Sequence, residues 1–313
     1  MLTAFANRRI KTLLKYFMRF VRPELHNLKF MIGQAAVMSS RSNSQNFENL
    51  WDAEVKVFSQ WGEDGILDFL CEKIGISKPN IIEIGAGNFM ECNSRFIAEF
   101  RNANVIAVDG RDDLTTAVKA SPLYWKSNII PIVEWVTPDN INRIMDIGEE
   151  QFGKVDIFSI DLDGNDYWIL RDVSLLNVAI VVLEYNPIFG ASLKVTIPRN
   201  DEFDRYKSHF SGLYYGASLQ AFIDLMLAKG FDFVGTNRVG NNAFFVHSRY
   251  VNKFDFDTKS NYNKYVDWRI RESRSPKGEL TYLSGSERLK VINDLPLIDL
   301  NTMQMHTVGK LLS

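Results

Sequence analysis

The chain predicts a doubly wound α/β fold built on a mostly parallel sheet. Short apolar runs recur along it with helix-like segments between them, as strands covered on both faces require. The first run, residues 81–84, ends in Gly85-Ala-Gly87, a turn through which backbone can approach a ligand. The second, residues 105–108, ends in Asp109, a carboxylate able to accept hydrogen bonds from both hydroxyls of a ribose. A glycine turn on one strand and an acid on the next is how such a sheet holds a nucleoside at its carboxyl edge.

The elements follow in order. Residues 1–50 read as a basic amphipathic helix and a linker. Ile10, Leu13, Leu14, Phe17, Met18 and Val21 recur at helical spacing, while Arg8, Arg9, Lys11, Lys15, Arg19, Arg22 and Lys29 face a single acid, Glu24. Two readings of residues 8–22 stand: peripheral contact with an anionic membrane surface, or docking on the following domain or on a second subunit. Charges interrupt the apolar stretch, so a secretory signal is not expected. Residues 39–49 are polar and read as the linker, and a main domain is expected over 51–249. Residues 63–74 place Ile66, Leu67, Leu70 and Ile74 on one helical face. Further strands are expected at 129–136, 155–160 and 178–183. Helices are expected at 91–101, at 138–150 with Thr137 as N-cap, and at 166–173. Ser218 opens a helix that stops at Gly230, and strands at 231–234 and 243–246 close the domain as an antiparallel hairpin. Residues 250–313 form a C-terminal appendage with a helix near 286–293.

Composition narrows the function. At 313 residues, 46% hydrophobic and 24% charged, the chain can bury one large core, and its net charge of −2 gives no reason to expect nucleic acid. Cys71 and Cys92 form no framework or zinc pattern, which suits a reduced cytosol, and the four histidines show no ligand spacing. No apolar run approaches the ~20 residues that span a bilayer. The expected location is cytoplasmic, with peripheral membrane contact if the basic helix makes it.

Five parallel strands, a helix and a closing hairpin, with Glu83-Ile-Gly-Ala-Gly87 and Asp109, resemble class I S-adenosylmethionine-dependent methyltransferases. Over residues 58–247 the chain is similar to FkbM-like methyltransferases, whose Ser-Gln-x-Gly-Glu-Asp entry is matched at Ser59-Gln-Trp-Gly-Glu-Asp64. The resemblance implies a Rossmann-like, seven-stranded sheet with an antiparallel last strand. It implies S-adenosylmethionine as cofactor, held by Glu83, Gly85, Gly87 and Asp109. It further implies O-methylation of a saccharide or glycoconjugate hydroxyl, as in polysaccharide biosynthesis. Where the family usually has Asp-Val-Glu-Gly, this chain has Asp161-Leu-Asp-Gly164, a side chain one methylene shorter at Asp163.

Methyl transfer needs alignment of the acceptor and removal of its proton. Asp161, Asp163, Glu184 and Asn186, at the ends of the fourth and fifth strands, are the candidate catalytic residues. Asp161, Asp163 and Asp166 are also candidate ligands for a divalent cation such as Mg or Mn. The bland alternative is that Asp163 or Asn165 caps the helix that begins near Asp166. Ser59, Gln60, Glu63 and Asp64 either close over the cofactor or cap a helix. Tyr214 to Ser218 reads either as a loop leading into a helix with Ser218 as N-cap or as a substrate wall. Arg238, Asn241 and Asn242, in the hairpin loop, either touch an acidic or sugar substrate or, as expected, form an exposed turn, and His247 has a structural role. Two other classes stay open. One is a nicotinamide-dependent oxidoreductase, disfavoured because no third glycine follows Gly87; the other is a non-catalytic, membrane-peripheral binding protein with this fold.

Overall fold

The computed structural model describes residues 2–254 and 269–312, and the side chains of 2–16, 18–20 and 22 lie outside that description. Seven strands form the main sheet: β1 (Asn80–Ile84), β2 (Asn104–Asp109), β3 (Ile129–Val133), β4 (Ile157–Ile160), β5 (Ile180–Glu184), β7 (Phe231–Thr236) and β8 (Asn242–His247). Their order is β3-β2-β1-β4-β5-β8-β7. The first five are mutually parallel, and β8 runs antiparallel between β5 and β7. This is the α/β sheet with an antiparallel last strand that the sequence predicts.

Alternation along the strands builds two cores. Ile81, Val105, Ala107, Ile157 and Val182 face Ile66, Leu70, Phe96 and Val118 of α2 (Glu63–Ile74), α3 (Ser94–Phe100) and α4 (Leu114–Ala120). Ile82, Val108, Phe158 and Leu183 face Ile144, Ile169 and Phe222 of α5 (Ile141–Phe152), α6 (Asp166–Asp172) and α8 (Leu219–Ala228). The helix α2 ends where Gly75 takes a left-handed φ of 88° and donates to the Cys71 carbonyl. Ser218 caps α8 by accepting from the Ala221 N–H at 3.3 Å.

Several boundaries depart from expectation. α5 starts at Ile141 rather than at 138, because the Asn140 side chain accepts from the Thr137 N–H at 2.8 Å and turns the chain before the helix. The long helix α1 (Leu2–Ser42) continues into the expected linker. Arg41 then pins it to α2 with two bonds to Asp68, of 2.6 and 2.8 Å. Gly33 makes the close approach: a Cβ there would stand 2.5 Å from Val57. Pro131 is tolerated because β3 is an edge strand. Cys71 and Cys92 are both buried free thiols.

The C-terminal residues carry most of a second sheet. β6 (Val195–Thr196), from the β5–α8 connection, pairs with β9 (Pro296–Asp299), which pairs with β10 (Gln304–Thr307). A third core, including Phe189, Leu213 and Tyr215 with Ile292, Leu297 and Val308, joins these segments beneath α9 (Ser286–Val291) and α10 (Val308–Leu312). The appendage therefore buttresses the connection that follows β5, and with it the short helix α7 (Arg205–Ser208).

Candidate active site

The chain leaves β1 through a turn bonded to its neighbour: the N–H groups of Gly85 and Ala86 donate to the Val108 carbonyl at 2.9 and 3.1 Å. Gly85 has φ +84°, and a Cβ would meet the Asp161 carbonyl oxygen at 1.7 Å, so only glycine fits. Gly87, at φ +58°, donates its N–H to Asp109 Oδ2 at 2.8 Å. Asp109 Oδ1 accepts from the Arg111 N–H at 2.9 Å, and each oxygen keeps capacity for a further bond. Gly85, Gly87 and Asp109, with Trp135 and Val136 beyond β3, line an open cleft of ≈ 880 Å³. Its walls of Trp135 and Val136 and the half-buried Asp109 carboxylate fit a nucleoside.

Glu83 was expected among the cofactor residues, but its carboxylate is committed inside the protein. It accepts from the Asn93 N–H at 2.7 Å, the Ser94 N–H at 2.9 Å and, in a short bond, the Ser94 hydroxyl. Glu83 thus fixes the start of α3. Burial raises its pKa while those three donors oppose the rise.

Asp161, Asp163 and Glu184 offer carboxylate oxygens all within 4.8 Å of one another. Burial pushes the pKa of both Asp161 and Glu184 well up; the charges of Asp163 and Asp166 add to it at Asp161, where a hydrogen bond with Glu184 opposes it, and those of Asp161 and Asp163 add to it at Glu184. Glu184 Oε1 accepts a long bond of 3.4 Å from Asn241, and its buried Oε2 has no partner among the described residues. Two facing carboxylates cannot both ionise cheaply, so the pair retains a proton to higher pH than a lone acid. Asp163 holds a left-handed φ of 55° and bonds to Arg205 of α7. Arg205 also donates to the Gly212 carbonyl at 2.6 Å and lies over the Tyr215 ring at 3.8 Å, so its charge is aimed at the acids from a fixed seat.

Three sequence expectations change here. Asp166 is not one of the converging acids. Its oxygens accept from the Leu162 and Gly164 N–H groups at 2.8 and 2.9 Å, closing the turn before α6, and burial pushes its pKa up to about 6. Neither Asp163 nor Asn165 makes the expected cap, since Asn165 instead clasps the backbone of Asn200. The three oxygen donors that do converge, Asp161, Asp163 and Glu184, fit a hard divalent cation in number and type. Asn186 does not face an acceptor: its buried amide donates to the carbonyls of Leu213 and Tyr215 at 3.0 and 2.9 Å. It positions the loop that seats Arg205.

A second, larger cleft of ≈ 1220 Å³ opens on the other side of the acids, and Gly85, Asp161 and Asp163 belong to both. Its walls bring in Gln60, Trp61, Arg205 and, from the C-terminal segment, Glu272. The Trp61 indole N–H has no partner among the described residues and is a ready donor. Asn241 and Asn242, expected in an exposed turn, are buried and line this cleft. Asn242 donates to Glu63 Oε1 at 2.8 Å, as does Asn237. Glu63 Oε2 in turn accepts from the N–H groups of Trp61 and Gly62 at 2.9 and 2.8 Å. Ser59 Oγ accepts from the Asp64 N–H at 3.2 Å, so this entry segment is largely an internal network, with Gln60 and Trp61 facing the cleft. His247 accepts from the Arg249 N–H at 3.3 Å and is structural. Arg205, Trp61 and Glu272 escape sequence reading because they lie in short or irregular segments with no periodic signal.

No family model matches the chain, and no curated protein matches it in sequence. Solved structures share parts of its architecture. It is similar to a fibrillarin pre-rRNA processing protein of Methanococcus jannaschii, with 14% identity over 55% of this chain and 67% of that one at a TM-score of 0.36. It is similar to an S-adenosylmethionine-dependent methyltransferase of Clostridium acetobutylicum, with 11% identity over 59% and 89% at a TM-score of 0.37. An O-methyltransferase family protein of Burkholderia thailandensis gives 11% identity over 58% and 54% at 0.34, so the chain spans about half of that protein's length. Likeness this distant says nothing of a substrate.

Proposed function

We propose that the chain is an FkbM-like, S-adenosylmethionine-dependent O-methyltransferase whose acceptor is a hydroxyl of a saccharide or glycoconjugate. The observation that carries this reading is the wall common to the two clefts. Gly85, Asp161 and Asp163 line both, so a nucleoside-bearing donor in one cleft and an acceptor in the other meet across them. Gly87 and Asp109 bind the donor's ribose side, and Trp135 and Val136 flank its base. The second cleft is rich in hydrogen-bonding groups, as a polyol requires.

The acceptor oxygen gains a methyl group and loses its proton, and the donor leaves as the neutral thioether. Asp161 and Glu184 receive that proton: they stand at the shared wall, and burial has raised their affinity for it. Arg205 offsets the charge that gathers on the acids. A bound divalent cation would be held by Asp161, Asp163 and Glu184, and would supply Lewis acidity toward a diol.

The test is transfer of labelled methyl from S-adenosylmethionine to a panel of saccharide acceptors, with and without chelator. Transfer lost in Glu184→Gln and in Asp161→Asn supports the reading. Loss on chelation with recovery on adding Mg or Mn assigns the acids to a metal; indifference to chelator with loss in Asp163→Asn assigns them to proton removal. Labelling of proteins or nucleic acids with no labelled saccharide would overturn the acceptor class.

A further inference from the structure

The helix α1 has two opposed faces, and the domain covers one. Toward the domain it presents Gly33 and the buried Val37. His26 belongs to the same face, bonded to Glu99 at 2.8 Å and stacked on Phe58 at 5.1 Å. On the other side Phe17, Leu25, Leu28, Met31, Ile32 and Met38 are each between 51% and 64% exposed. These six fall at steps of three, four, seven and eight along the helix, so they form one stripe over about six turns. The sequence continues the same spacing toward the N-terminus through Ile10, Leu13 and Leu14. An apolar face of this extent is unusual on a helix that has water as its only neighbour.

Charge chooses between occupants. Residues 1–30 carry seven basic side chains against Glu24, whereas the whole chain nets −2, so the rest of the protein is acidic. Two copies pairing through this helix would bring like charges together. An anionic lipid surface would attract the helix and hold the acidic remainder away from the interface. No helix among the described residues is long and apolar enough to cross a membrane, and Pro23 lies within this one, so the helix lies on a bilayer instead of spanning it.

We infer that the exposed face of α1, from Phe17 to Met38, is a docking surface for anionic lipid bilayers. The inference does not depend on the proposed methyl transfer. It is tested by sedimenting the full chain with vesicles of phosphatidylglycerol and phosphatidylcholine, and with phosphatidylcholine alone. Binding is expected to the anionic vesicles, to weaken at high salt, and to fall at least tenfold in Leu28→Gln/Ile32→Gln, a neutral change at two exposed positions. Retained circular dichroism would show that this variant is folded. No sedimentation with anionic vesicles at low salt would overturn the inference. So would equal binding by the variant, or a dimer in light scattering that the same substitutions abolish without any vesicle binding.

Discussion

Glu83 and Glu184 sit at the carboxyl ends of two strands of one sheet, and burial raises the pKa of both, yet their surroundings differ. Glu83 receives three donors, two of them backbone N–H groups. Glu184 has one long contact, a buried oxygen without a partner, and two other acids beside it. The first is a carboxylate whose bonds are complete, and it anchors α3. The second is held at a cost to stability, which a folded protein tolerates where a ligand or a reaction completes the missing bonds. Satisfaction of bonds, more than burial, distinguishes these two acids.

The largest effect expected from this contrast is on turnover. Glu184→Gln should lower methyl transfer by on the order of 10²–10⁴-fold, as loss of a general base does, while unfolding in urea shows stability unchanged or higher. Equal loss of stability and activity would erase the distinction. Gly85→Ala comes next. Its Cβ would collide with the Asp161 carbonyl at 1.7 Å from a left-handed backbone, so the fold should lose about 3 kcal/mol and donor binding should disappear. Glu83→Gln should cost about 1–3 kcal/mol in urea unfolding, because an amide cannot accept from all three donors. If donor affinity in the surviving fold stayed within a few-fold, Glu83 would be confirmed as an anchor.

The smallest effect is a pH slope. Burial pushes Asp64 up to about 6 although Val57, Phe58 and Ser59 donate to its Oδ2, since Oδ1 is left without a partner. A carboxyl with a raised folded pKa keeps its proton longer in the native state. Its contribution is therefore full at low pH and is lost as pH rises from about 4, the unfolded value, through about 6. Comparing urea midpoints at the two ends of that window, Asp64→Asn should show a smaller fall than the parent chain. An identical slope would mean that Asp64 is ionised throughout.

Much of the fold is written in local patterns. Gly85, Gly87 and Asp109 are legible because a strand, a tight turn and an acid have fixed chemistry, and the hairpin of β7 and β8 because a short, turn-rich connection joins its two apolar runs. Glu184 is legible as an acid at a strand end. Its partners are less so: Asp166 lies in the same acidic run as Asp161 and Asp163, and only the backbone of the turn diverts it to Leu162 and Gly164. Arg205 reaches Asp163 from a four-residue helix, and Glu272 comes from a C-terminal segment far away in sequence. Asn186 looks like a substrate group and is an internal brace, since the carbonyls it meets at Leu213 and Tyr215 are set by tertiary packing.

The central claim is that the cleft over Gly85 and Asp109 binds the methyl donor. Calorimetric titration of S-adenosylmethionine into the full chain and into Asp109→Ala, with NAD as the competing ligand, tests it most directly. Micromolar binding of S-adenosylmethionine, weakened at least tenfold in Asp109→Ala and unmatched by NAD, is the predicted result. Tight binding of NAD with no heat from S-adenosylmethionine would contradict it.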